Sequence, residues 1–288
     1  MKKILVFDGN FYLHRAWFTL RTSKPIETVF PASFCSLLLR DACYVKATHI
    51  LVCFDGPKVF RYDIYPDYKA NRDKKQVHED GEGLNIYAYL PLIRDYLSSA
   101  GLTWVQSEKH EADDMLASAA AQWASHRVHV ILGSRDKDGF THLNSNVTAL
   151  DSTPDTPLII THDTVFKKTG LKPCQWVMYQ TLLGDAIDNV PRLLSPKKAI
   201  AVVSKYGSFA AWFAEGSAED KQWLRLNQMK LRLNKHLVEM KTDLALPDIQ
   251  SLVVPKLKLE NMPRSFYAYQ DLLYPKARSL FKTRELLR

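Results

Sequence analysis

Ile4-Leu5-Val6-Phe7-Asp8 is the stretch on which the reading of this chain turns. An unbroken apolar run of this kind reads as a strand buried on both faces, as in a parallel sheet, and not as a half-exposed strand with alternating polarity. Two similar runs follow, Ile50-Leu51-Val52-Cys53-Phe54 before Asp55 and Val128-His129-Val130-Ile131-Leu132 just ahead of Asp136 and Asp138. Ligands of such sheets bind outside the carboxyl ends of the strands, so these acids are aimed at one crevice. Two acidic clusters join them, Glu111-Ala112-Asp113-Asp114 and Asp185-Ala186-Ile187-Asp188, for nine carboxylates in all. Two carboxylates about 4 Å apart repel by roughly 4 kcal/mol at an effective dielectric of about 20. A group of this size is tolerable only with cations among it, and the pattern predicts a multi-metal site.

The bulk numbers fit that reading. Of 288 residues, 46% are apolar and 24% charged, ordinary values for a soluble globular protein. The formal net charge is +8; setting the nine acids aside leaves 22 acidic residues against 39 basic ones. An acidic pocket in a basic shell suits a polyanion held by its phosphates, whereas a basic surface alone needs no such partner. The cysteines at 35, 43, 53 and 174 show no paired spacing, as expected of reduced thiols in a cytoplasmic protein. Met1-Lys2-Lys3 imitates a signal peptide, but Asp8 ends the apolar stretch too early. No stretch approaches transmembrane length, and no membrane partner is expected.

Along the chain, the first strand leads to a helix near 11–20, a proline-punctuated loop, and a second helix near 33–45. Residues 56–83 are polar and read as a functional loop. A helix follows at about 84–99, then a stop at Gly101, a short strand at 103–105 and an acidic helix opened by Glu111. Residues 147–161 read as a hairpin or edge strands. From His162 the pattern turns helical, and the tail from 256 is basic. The expected organisation is an α/β core over 1–165 and a helical module over 166–288 that lends Asp185 and Asp188 to the site.

Asp136 and Asp138 stand two apart after a strand, so both can point to one side. Glu111 and Asp114, like Asp185 and Asp188, stand three apart, the spacing of one helix face. Magnesium takes carboxylate oxygens while keeping waters and phosphate oxygens. Two such ions about 4 Å apart activate a water and stabilise the leaving oxygen of a phosphodiester. Any one pair alone is equally a helix cap or a solvated charge; all of them at strand ends and helix starts is a different matter. In Tyr68-Lys69-Ala70-Asn71-Arg72, a lysine and an arginine on a forming helix can face one phosphate, with Tyr68 available for base stacking. Read alone, that stretch is a solvated surface helix.

Together these motifs resemble the structure-specific 5′-nuclease family: the 5′→3′ exonuclease domain of DNA polymerase I, phage 5′ exonucleases and flap endonucleases. The resemblance rests on Phe7-Asp8-Gly9-Asn10, Tyr12-Leu13-His14-Arg15-Ala16, Phe54-Asp55, Phe60-Arg61, Tyr68 to Arg72, and the acidic clusters. It also includes Leu183-Gly184-Asp185-Ala186-Ile187-Asp188-Asn189-Val190-Pro191, and runs on through Asn234-Lys235 to Lys241-Thr242-Asp243-Leu244, covering roughly residues 1 to 250. It implies a mostly parallel sheet flanked by helices (the PIN-like nuclease fold), a helical arch within 66–92, and a helix–three-turn–helix DNA-binding module. It further implies a two-metal hydrolase, with Asp8, Asp55, Glu111, Asp113 and Asp114 at one Mg2+ site and Asp136, Asp138, Asp185 and Asp188 at the other. Mn2+ would substitute. Lys69, Arg72 and Arg15 would act on the reacting phosphate; apart from the resemblance, Lys197, Lys198 and Lys205 are expected to bind DNA, the first two near a helix N-terminus. The implied substrates are 5′ ends, flaps and single-strand/duplex junctions of DNA, and RNA primers in RNA–DNA hybrids, met in replication and repair by a monomeric enzyme.

The resemblance breaks at Arg192-Leu193-Leu194-Ser195-Pro196-Lys197-Lys198-Ala199, where the family has a glycine-rich hairpin that binds a monovalent cation. Without glycine the backbone loses its freedom for close approach, which argues against a K+ site. Gly133-Ser134-Arg135 likewise replaces the usual Ser-Thr before Asp136. Two other classes fit the residues less well. A non-catalytic nucleic-acid binder would not need the complete acid set. An aspartate-nucleophile phosphatase needs an aspartate two residues after Asp8, where this chain has Asn10.

Overall fold

In the computed structural model the described residues are 1–20, 26–72, 85–153 and 156–254. The apolar runs become the middle of a six-stranded sheet. Strand β1 (Lys2–Asp8) lies between β2 (His49–Phe54) and β4 (Val128–Gly133), parallel to both. Strand β3 (Thr103–Gln106) flanks β2, and β5 (Val147–Asp151) flanks β4, again parallel. The short β6 (Leu158–Ile160) returns antiparallel on β5, the edge hairpin expected around 147–161. The order β3-β2-β1-β4-β5-β6 means that the chain builds outward to β3 and then crosses to the far side of β1. That reversal is a topological switch point, where the strand ends open onto a crevice. The register Asp8↔Cys53 and Phe7↔Gly133 brings the ends of β1, β2 and β4 level there.

Both faces of the sheet are covered, as the continuous apolar runs require. On one face Leu5, Phe7 and Phe54 pack against α1 (Gly9–Leu20), α2 (Ile26–Val45) and α4 (Leu90–Ser99). On the other, Ile4, Val6, Leu51 and Cys53 meet α5 (Ala112–Trp123), whose alanines 112, 119 and 120 let it lie close to the strands. Helix α2 begins before Pro31 rather than after it, unlike the loop expected there. Proline removes one second-turn hydrogen bond, but Phe30, Phe34, Leu37 and Leu38 are fully buried on that helix and outweigh the loss.

The helical half follows the sheet: α6 (His162–Thr169), α7 (Trp176–Leu183), α8 (Pro196–Tyr206), α9 (Phe209–Glu215), α10 (Ala218–Leu226) and α11 (Gln228–Val238). Trp176, Leu182, Val203 and Trp212 join the core on the α5 face of the sheet. Helix α11 packs on α7, and its buried Asn234 donates to Thr181 O at 2.9 Å and Pro191 O at 2.7 Å. That side chain pins the loop 184–191, which carries Asp185 and Asp188. A short α3 (Phe60–Ile64) leads into the expected arch, which opens with turns at 66–69 and a helix that begins at Ala70. Residues 73–84 of the arch and the basic tail from 256 lie outside the described residues. Among the described residues no helix is long and apolar enough to cross a membrane.

Gly184 opens the acid loop at φ +67°, and a Cβ there would sit 2.5 Å from Pro191 O. Left-handed strain plus this overlap predicts that Gly184→Ala destabilises the fold by about 1–3 kcal/mol. Chemical denaturation would show it as a lower midpoint with an unchanged slope.

Candidate active site

Each strand end delivers its acid on a backbone that also restrains it. Asp8 closes β1, and its Oδ1 accepts from Phe11 N–H at 3.0 Å as α1 begins. Asp55, just past β2, is fixed by Asn10: the amide donates to Oδ2 at 2.7 Å and accepts from Asp55 N–H at 3.2 Å. Ala112 N–H, at the start of α5, donates to its Oδ1 at 2.7 Å. Asp136 caps a 3-10 turn (Lys137–His142) by accepting from Asp138 N–H at 3.0 Å, and Asp138 accepts from the Gln180 amide of α7. Asp185 Oδ1 accepts from Ile187 N–H at 2.6 Å, inside a loop closed by mutual hydrogen bonds between Asp185 and Val190. Asp185 and Asp188 therefore share a tight bridged loop, not the helix face that their spacing suggested. With no helix to align them, backbone bonds across the loop do so.

At the start of α5 the one-face spacing holds, but that face meets a buried arginine. Glu111 and Asp114 form a reciprocal capping box and both turn to the buried Arg61. Asp114 receives Arg61 Nη1 at 2.6 Å, Nη2 at 2.8 Å and Lys241 N–H at 2.9 Å. Burial works against its charge, yet the guanidinium fork and the amides hold its carboxyl below the usual range. Its oxygens are thus committed to protein donors. Asp113, between the two, is the residue that feels Asp8, Asp136 and Asp55.

The electrostatics trace the convergence. Asp8 is pushed up to about 7 by burial and then by Asp55 and Asp136. Burial and neighbouring acids hold Asp113 and Asp138 well above the usual carboxylate range. Asp55 is raised by burial and by Glu111, and Asp188 by burial and Asp185, although Lys69 and Arg72 pull both the other way. Asp138 in turn feels Asp136, Asp188 and Asp185. Eight of the nine predicted acids are thereby linked; Asp114 is the exception. Asp113, Ser134, Asp136 and His142 also line one pocket. Among the described residues, no three of these side chains stand as a ready-made coordination shell.

Lys69 and Arg72 lie in the middle of this charge. Lys69 adopts φ +58° in the turn ahead of the helix, so it is not on the helix as expected. Its N–H donates to Asp188 O at 3.0 Å, and its ammonium binds Glu111 and lies 4.0 Å from Asp188. Burial opposes the ammonium, but Glu111, Tyr68 and Asp188 raise its pKa well above the ordinary lysine value. Arg72 grips Asp188 through Nε at 2.8 Å and Nη2 at 2.6 Å. The two cations do face one point, through Asp188. Arg15 lies half-buried on α1. Lys197, Lys198 and Lys205 are exposed on α8, with Lys205 4.6 Å from the Tyr206 ring centre.

Tyr68 is not a stacking platform. It is 5% exposed, packed with Val190, Leu237 and Val238, and donates to Glu111 at 3.1 Å. Residues at helix starts look exposed in sequence, but here α11 covers the ring. Sequence reading also passed over Arg61, Asn10 and Gln180 as supports. Of these, Asn10 and Arg61 carried a signal, within Phe7-Asp8-Gly9-Asn10 and Phe60-Arg61 of the resemblance.

A crevice of restrained acids at the switch point of a parallel sheet, threaded by a lysine and an arginine, places the chain among phosphodiester-cleaving α/β enzymes. Residues 3–170 match the family described as 5′–3′ exonuclease, N-terminal resolvase-like domain. A 5′–3′ exonuclease from Aquifex aeolicus is 30% identical over 98% of this chain and 100% of that protein. DNA polymerase I of Rhizobium leguminosarum is 31% identical over 92% of this chain, which spans 27% of the polymerase. The bacteriophage T5 flap endonuclease, solved as a pseudo-enzyme-product complex with DNA and metal ions, shares the fold with a TM-score of 0.69 and 24% identity, covering 82% of this chain and 89% of that one. The chain belongs to the 5′–3′ exonuclease family of structure-specific 5′ nucleases and is a hydrolase of the nuclease class.

The raised pKa of Asp8 has a sign. An unfolded aspartate titrates at 3.8, so the folded state binds the extra proton and stability falls as pH rises from 3.8 to about 7. In chelator, Asp8→Asn should therefore raise the melting temperature at pH 8. Each kcal/mol relieved is worth roughly 2–4 °C, and the gain should vanish below pH 4 in a melting series.

Proposed function

We propose that this nuclease uses divalent metal to hydrolyse DNA phosphodiesters near 5′ ends, flaps and single-strand/duplex junctions, with RNA–DNA hybrids as a second substrate. The observation that carries the reading is the seating of Lys69 and Arg72 on Glu111 and Asp188 at the switch point where the strand-end acids meet. All the acids offer hard oxygens, the donor type that Mg2+ and Mn2+ take. Asp8, Asp55 and Asp113 would hold one ion, and Asp136, Asp138, Asp185 and Asp188 the other, while Glu111, its oxygens taken by Arg61, Tyr68 and Lys69, seats the lysine. When bound, such ions supply an activated water and charge stabilisation on the phosphoryl oxygens. Asp114 is assigned instead to holding Arg61 and the start of α5.

The side chains divide the remaining work. Lys69, already seated over the acids, neutralises charge on the scissile phosphate, and the planar Arg72 fork orients it. The exposed Lys197 and Lys198, in the first turn of α8, meet duplex phosphates alongside the helix N-terminus. The glycine-poor run before α8 ties Leu193 and Leu194 N–H to Leu182 O at 3.1 and 2.9 Å, and no monovalent cation is assigned there. The basic surface supplies salt-dependent affinity without base readout. The T5 complex with DNA and metal ions supports the substrate and metal class.

Two measurements test this. On a 5′-labelled flap duplex, chelator should abolish cleavage, as should Asp8→Asn or Asp136→Asn in Mg2+; full-rate cleavage in chelator would overturn the mechanism. Lys69→Ala should slow cleavage by about 100-fold, the scale of losing one charge-stabilising donor, while DNA affinity changes little. Equal losses in rate and affinity would make Lys69 a docking charge only.

A further inference from the structure

Glu111 is held differently at its two oxygens. Oε2 accepts from Arg61 Nη1 at 2.9 Å and from the Tyr68 hydroxyl at 3.1 Å. Oε1 takes the Lys69 ammonium. Arg61 is 2% exposed, and its other donors are committed as well. It grips Asp114 in a fork, and it reaches Leu237 O at 2.9 Å and Glu239 O at 3.3 Å at the end of α11. The guanidinium cannot rotate without breaking several of these contacts, so the carboxylate in front of it is fixed too.

Lys69 needs such a reference. Its backbone is set by the left-handed turn and the bond to Asp188 O, but its stem has four carbons of free rotation. Unrestrained, the ammonium would spread over Asp8, Asp55, Asp113 and Asp188, all of which sense it. Glu111 Oε1 selects one position among these.

We propose that Arg61 and Tyr68 are positioning residues: they clamp one oxygen of Glu111 so that the other sets the Lys69 ammonium over the crevice, and the cleavage rate depends on them through Lys69. The inference rests on the phosphate-facing role given to Lys69 above.

A double-mutant cycle separates this from scaffolding. Arg61→Lys keeps the charge and loses the fork; Tyr68→Phe keeps the ring and loses only the hydroxyl. Each is made alone and in the Lys69→Ala background. Single-turnover cleavage of the flap duplex in Mg2+ is read beside DNA affinity in chelator and the melting temperature. Displacing a positioned group costs rate steeply, so Arg61→Lys should slow cleavage by about tenfold or more and Tyr68→Phe by about threefold, with affinity nearly unchanged. In the Lys69→Ala background neither change should alter the residual rate by more than about twofold, because coupled residues are not additive.

The same fold loss in both backgrounds would overturn the clamp and leave Arg61 and Tyr68 as scaffold. Unchanged rates in the parent background would overturn it as well. Should Arg61→Lys melt below the assay temperature, Tyr68→Phe decides by the same comparison. Full-speed cleavage by Lys69→Ala itself is a distinct result: it overturns the role of Lys69, and the clamp with it.

Discussion

Repulsion among carboxylates at the switch point is the constraint around which the rest of the molecule is arranged. Left to themselves, acids brought this close would push the strand ends apart. Several are instead tethered to donors of the fold: Asp8 to the first turn of α1, Asp55 to Asn10 and the first turn of α5, Asp138 to Gln180. The segment 61–72 brings positive charge to them through Arg61, Lys69 and Arg72. A buried ion group of this kind is held by good geometry and complete hydrogen bonding, not by net attraction alone.

The tethers also join the two halves of the chain. Arg61 reaches the carbonyls at the end of α11, Ser118 of α5 bonds Lys241 O at 3.1 Å, and Asn234 pins Pro191. The loop carrying Asp185 and Asp188 is therefore aligned by helices that follow it in sequence. Its own turn then meets the start of the arch, where Asn189 donates to Asp67 O at 2.9 Å. Sheet and helical half thus contribute to one crevice because the contacts between them are polar and directional as well as apolar.

Where reading from sequence went astray, the cause lay in partners remote along the chain. Glu111 and Asp114 do share a helix face, as spacing required, but that face turns to Arg61, and Asp113 faces the crevice. Tyr68 lies in a polar stretch, yet α11 covers it. Lys69 precedes its helix because the turn is fixed by Asp188, and α2 runs through Pro31 because four large residues need burial. None of these partners is visible in a window of ten or twenty residues.

What the sequence determined by itself is the parallel α/β sheet and the set of acids at its strand ends. Both follow from short-range patterns: unbroken apolar runs demand two covered faces, and a run that stops at an aspartate puts that acid at the strand's end. Tertiary structure alone decided which acids share a field and which pair with a buried arginine. It also decided which aromatic is covered and where the lysine points. Those outcomes depend on distance through space and on which donor reaches a carboxylate first, and only the packed chain brings residues 61, 111 and 237 together.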